Sequence, residues 1–124
     1  MQIALYLAAF LAMLLGVAHS VLGERLLLKR LLRRPEDLPK LFGGTDFTAS
    51  LLRFAWHVTS ITWAGLGGVL LVMAHPPVST AALGMVVGAT FLVQFLLTLV
   101  ASRGKHFAWV FFLAIGVLTL YATL

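Results

Sequence analysis

Cysteine is absent from the 124 residues, which excludes disulfides and thiolate metal ligands and leaves the redox compartment open. Charge is scarce. Only 10% of residues are charged, against about a quarter in a soluble domain, and 61% are hydrophobic. Acidic residues number four (Glu24, Glu36, Asp37 and Asp46), and residues 1–23, 54–102 and 106–124 carry no Lys, Arg, Asp or Glu at all. A spanning helix needs about 20 such residues, so the chain reads as an all-α integral membrane protein.

The middle run is long enough for two spans, and "HPPVST" at 75–80 breaks it, because successive prolines remove backbone donors and the polar residues beside them suit a turn. The expected fold is a four-transmembrane-helix bundle. It forms a single membrane domain over 1–124, with helices near 2–23, 48–73, 79–101 and 106–124 and an amphipathic interfacial loop over 24–47. The first helix is expected to be retained rather than cleaved as a signal peptide. It has no basic segment before it, its apolar run is longer than the usual signal core, and its positive charge follows the run.

All nine Lys and Arg fall on one side of this map: Arg25, Lys29, Arg30, Arg33, Arg34, Lys40 and Arg53 around the first loop, Arg103 and Lys105 in the last. The positive-inside rule then makes both basic loops cytoplasmic and puts both termini outside, as in a multi-pass protein of a bacterial inner membrane. A net charge of +5 placed beside apolar spans points to anionic lipid headgroups in the bilayer, not to nucleic acid. In the first loop, Leu27, Leu28, Leu31 and Leu32 share one side of a helix and Lys29, Arg30, Arg33 and Arg34 largely the other, a pattern for an interfacial helix ended by Pro35. Asp46 or Thr48 is expected to cap the second span. No soluble catalytic domain fits in so short a loop.

At a rise of about 1.5 Å per residue, antiparallel helices 1 and 2 bring Glu24 level with Arg53, and His19 level with His57 roughly 6–8 Å further in. His106, at the start of helix 4, sits in or near the same layer, while His75 lies in the outer turn. His19 shares a stripe with Gly16, Ser20 and Gly23, and His57 with Ser60, Ala64 and Gly68. Small residues mark closely packed membrane helices, so both histidines are expected to face the bundle interior, where an ionisable group suggests a site. The plainer alternative is that each histidine only hydrogen-bonds a neighbouring Ser, Thr or carbonyl.

"HSVLGER" at 19–25 is similar to the H-x-x-x-G-x-R pattern in the membrane anchor subunits of succinate dehydrogenases. The resemblance implies that His19 ligates a b-type haem, that Gly23 admits the porphyrin and that Arg25 lies near propionates or quinone. It covers seven residues; those anchors have three spans, and helix 2 has Ile61 where a second glycine is wanted. From the residues themselves, haem b would take His19 and His57 as axial ligands with Arg25, Arg53 or Arg103 for the propionates. A metal centre would instead use His19, His57 and His106, with Glu24, a set that suits zinc, iron or copper.

The reading that follows is a four-helix membrane protein with a cytoplasmic-end histidine site binding haem b or a transition metal (Fe, Cu or Zn) in a redox role. Two alternatives stay open. One is a non-catalytic accessory or assembly subunit of a larger membrane complex, and the other a small lipid-modifying enzyme using histidine and Glu24 as acid and base; neither needs a cofactor. Gly84 and Gly88 form a G-x-x-x-G, a packing surface or a homodimer contact. Trp56 and Trp109 are expected as interfacial anchors, with Tyr6 and Tyr121 opposite. Gln94 is expected to hydrogen-bond across the bundle. "RFAW" at 53–56 and "HFAW" at 106–109 hint at a duplicated hairpin.

Overall fold

A computed structural model describes residues 1–124. It is all-helical, with four long helices: α1 (Gln2–Leu31), α2 (Asp46–Met73), α3 (Thr80–Ser102) and α4 (Ala108–Thr123). The first three are long and apolar enough to cross a membrane. α4 is equally apolar but has 16 residues, roughly 24 Å at the helical rise.

The apolar-to-basic transition at Glu24 does not end the first helix. α1 passes through a π-helical stretch, Gly23–Leu28, and continues to Leu31. The basic residues therefore continue the first helix and do not form a separate one. A short 3-10 turn, Pro35–Asp37, follows, and Phe42 and Gly43 both adopt positive φ (53° and 86°) in the turn that pairs Leu41 with Gly44. α2 then starts at Asp46 after Thr45 with no side-chain cap. Thr48 does something else: its hydroxyl donates to Pro39 O at 2.7 Å and ties the loop to the helix. Ser79 does cap α3, accepting from Ala82 N–H at 3.2 Å. Arg103 (φ 51°) and Gly104 (φ 75°) end that helix in the left-handed region, where Gly104 N–H returns to Leu99 O at 3.0 Å.

The helices pack in chain order, α1 on α2, α2 on α3 and α3 on α4. Close approach depends on glycine. A Cβ on Gly16 would meet Ser60 O at 3.0 Å, and one on Gly67 would meet Met13 and Ala9 O, joining α1 to α2. Gly84 and Gly88 face α4, where a Cβ on either would collide with Thr123 or Leu120. The G-x-x-x-G is therefore filled from within the chain and is not a free homodimer face.

Only 16 residues are buried, and Thr48, Ser60, Gln94, Thr98 and Ser102 are among them, while Phe10, Leu14, Val100 and Phe111 stand more than half exposed. Polar and small groups inside with bulky apolar groups outside is the reverse of a soluble core.

Candidate functional site

Four residues at one end of the α1–α2 pair form a hydrogen-bonded chain. Arg53 reaches Glu24 Oε1 at 3.1 Å, so the level pairing expected from the helix register is present. The other carboxylate oxygen, Oε2, lies 3.4 Å from His57 Nε2, and His57 Nδ1 lies 2.9 Å from Ser20 Oγ. An ionised carboxylate only accepts, so the facing Nε2 carries hydrogen; in a neutral imidazole Nδ1 then accepts, and Ser20 O–H donates to it. Glu24 and His57 are about three-quarters buried and Arg53 half exposed. Glu24 lies within the π-helical stretch, a feature frequent at functional sites.

His19 and His57 are bound reciprocally. His57 takes Ser20 from α1, and His19 Nδ1 takes Ser60 Oγ from α2 at 2.9 Å. Each histidine is thus held by a serine of the opposite helix. The imidazole of His19 also stacks on the Trp56 indole (centroids 4.3 Å apart, planes 2° apart) and meets Trp63 edge-on at 4.8 Å. Trp56 is thus half-buried and packs on α1 through His19. Its Nε1 donates to His19 O at 2.9 Å.

This arrangement does not fit haem. The space beside Gly23 is filled by Trp56, whose ring atoms would lie 2.0–2.7 Å from a Cβ there, so no flat cleft opens for a porphyrin. Both nitrogens of His57 and one of His19 are already engaged. The proposed metal set does not assemble either: no group of three or more His, Asp or Glu side chains is placed to hold an ion. His106 packs against Phe47 and Phe54 and accepts from Ala108 N–H at 3.3 Å. Because α4 packs on α3 while α1 packs on α2, the start of α4 is not brought to His19. Of the cation candidates, Arg53 alone pairs with Glu24. Arg25 is exposed and makes no ion pair, and Arg103 is exposed at the end of α3. His75, at the far end, bonds Tyr6 O–H through Nε2 at 2.9 Å.

His57 also borders a cavity of about 350 Å³ between α2 and α3, with Asp46, Ser50 and Arg53 on one wall and Leu97 and Ala101 on the other. A smaller cavity of about 190 Å³ shares Asp46, Ser50 and Ala101 and adds Arg103 and Lys105. The two adjoin at Ser50 and Ala101, where Ser50 O–H donates to Ala101 O and ties α2 to α3. The plainer expectation, that each histidine hydrogen-bonds a neighbouring serine, is the one the structure bears out for His19 and His57, through Ser60 and Ser20. The readable signal was the pairing of one Ser with each His across the helix register.

Chemically, His57 is set to move a proton. Nδ1 faces the Ser20 hydroxyl and Nε2 faces the Glu24 carboxylate, a donor and an acceptor between which an imidazole can relay a proton. Nucleophilic acyl transfer by Ser20 lacks support, because Ser20 lies inside a helix whose N–H groups are bonded along the helix, leaving no oxyanion donors. No family model matches the chain, and no curated protein or solved structure is significantly similar to it.

Proposed function

We propose that this is a four-span membrane protein, basic loops cytoplasmic and both termini outward, carrying a general acid–base site that acts on the headgroup of an anionic amphiphile. The observation that carries the reading is the chain Ser20–His57–Glu24–Arg53, of which His57 and Arg53 border a cavity adjoining a second one lined by Arg103 and Lys105. The inside-out distribution of polar and apolar groups supports membrane insertion. The headgroup enters past the cations, and its tail stays in the bilayer. The His57–Glu24 contact, at 3.4 Å the longest in the chain, is the one that an incoming polar group replaces. This keeps the lipid-modifying reading and sets aside haem and metal, for which the side chains do not fit.

The test is the lipid composition of membranes from cells producing the wild type, His57→Ala, Glu24→Gln or His75→Ala at matched levels, read by mass spectrometry. The expected result is a changed anionic-lipid species in wild type and His75→Ala that is lost in His57→Ala and Glu24→Gln. Identical profiles in all four would refute the proposal.

A further inference from the structure

A separate cavity of about 370 Å³ lies between α2, α3 and α4, and it shares no lining residue with the cavity beside His57. Its walls are apolar, with Leu66, Val69, Val87, Phe91 and Phe112 among them, and it is bordered by one buried amide, that of Gln94. Gln94 is 3% exposed. It sits about 12 Å along α3 from the Ser102 end, at a depth where bulk water does not reach in the four-span reading.

The amide is half satisfied. Gln94 Nε2 donates to Thr62 Oγ1 at 2.7 Å and lies 3.5 Å from Val58 O. Thr62 has a single hydroxyl proton and gives it to Val58 O at 3.0 Å. It can therefore only accept from Gln94, which fixes the amide with nitrogen toward Thr62. The oxygen, Oε1, is left without a donor. Nor is it sealed in, since Thr98 Oγ1 is the one fully enclosed side-chain polar atom lacking a partner. A bare carbonyl oxygen in an apolar surrounding is costly, and a donor arriving in the cavity removes that cost.

We infer that this cavity binds a membrane-soluble alcohol or phenol whose O–H donates to Gln94 Oε1 while its apolar body packs against Phe91 and Phe112. Those two rings stand 6.1 Å apart at 43° and form an aromatic wall. Benzene occupies an apolar cavity of about 150 Å³, so the volume here suits a body of two fused rings.

The probes are naphthol and methylnaphthalene, which share a body and differ in the donor. Each is titrated into the full chain in lipid nanodiscs, corrected for partition into empty discs, and followed by the side-chain amide signals of Gln94 and by calorimetry. Naphthol is expected to bind about three- to tenfold more tightly, the worth of one neutral hydrogen bond. Gln94→Leu should abolish the preference while keeping methylnaphthalene binding, and Val87→Trp should abolish binding of both. Equal wild-type affinities overturn the inference, and that comparison needs no variant to fold. A preference that survives Gln94→Leu, or binding that survives Val87→Trp, overturns it as well.

Discussion

Trp56 lies in the space that Gly23 leaves open, so close that a Cβ on Gly23 would stand 2.0 Å from the indole nitrogen. The same nitrogen donates to His19 O, and the indole face carries the His19 imidazole. A motif in which glycine admits a flat ring near a histidine is thus satisfied inside the chain, with tryptophan as the ring. Gly23→Ala is expected to destabilise the protein by about 1–3 kcal/mol, because the rigid indole cannot give way without losing its bond to His19 O. Unfolding in mild detergent measures this. Combining it with Trp56→Leu should shrink the added cost of the alanine, since the side chain it collides with is gone. A Gly23→Ala protein as stable as wild type would contradict the packing.

The Glu24–Arg53 pair is close at 3.1 Å, but half of the Arg53 side chain is exposed, so solvent screens it. A double-mutant cycle with Arg53→Ala and Glu24→Gln should give a coupling of at most about 1 kcal/mol, falling as salt is raised. Glu24→Gln alone should cost more than Arg53→Ala, because it also changes the group facing the largely buried His57. Coupling of several kcal/mol, insensitive to salt, would mean that the pair sits in a far drier environment than its exposure indicates.

Much of this architecture was legible because charge-free runs and proline breaks are properties of local sequence. Matching Glu24 with Arg53 needed only helical rise and antiparallel order. Other features depend on which helix packs where, and local sequence is silent on that. The leucine and arginine pattern after Glu24 suits an interfacial helix as well as the continuation to Leu31 that is found, and the difference is a π-helical stretch with no composition of its own. Gly84 and Gly88 announce a close contact without saying that α4 supplies it. His106 is expected near the layer of His19, yet it packs beside Phe47 and Phe54 while His19 meets Trp56 and Ser60 further along α2, and α4 belongs beside α3. The "RFAW" and "HFAW" segments fall at unlike places as well, Arg53 lying inside α2 and His106 before α4 begins.

The four-span reading makes a topological prediction that turns on α4. Its 16 residues reach roughly 24 Å, a little short of a typical hydrocarbon core of about 30 Å, and local thinning or the apolar Phe107 and Leu124 at its ends make up the difference. Reporter fusions at residue 40 and after Leu124 should therefore lie on opposite sides of the membrane. Both reporters on the same side would show that α4 does not cross, and that three spans with an interfacial α4 is the correct arrangement.

Thr98 supplies the last prediction, because its position inverts the usual expectation for a buried polar group. It is fully buried on α3, and its hydroxyl has no hydrogen-bond partner. One turn away, Gln94 is tied to Thr62 on α2, so two polar side chains on the same helix face differ completely in what they contribute. Removing a partnered buried group leaves its partner orphaned, whereas removing an orphan removes only a desolvation cost. Thr98→Val keeps the branched shape and adds a methyl where the hydroxyl was. It is expected to leave stability unchanged or raise it by up to about 1 kcal/mol. Thr62→Val, by contrast, should destabilise by about 1–3 kcal/mol, since it strands the buried Gln94 amide. Thermal unfolding of the two variants in the same detergent decides the matter, and a Thr98→Val protein weakened as much as Thr62→Val would mean that the Thr98 hydroxyl has a partner after all.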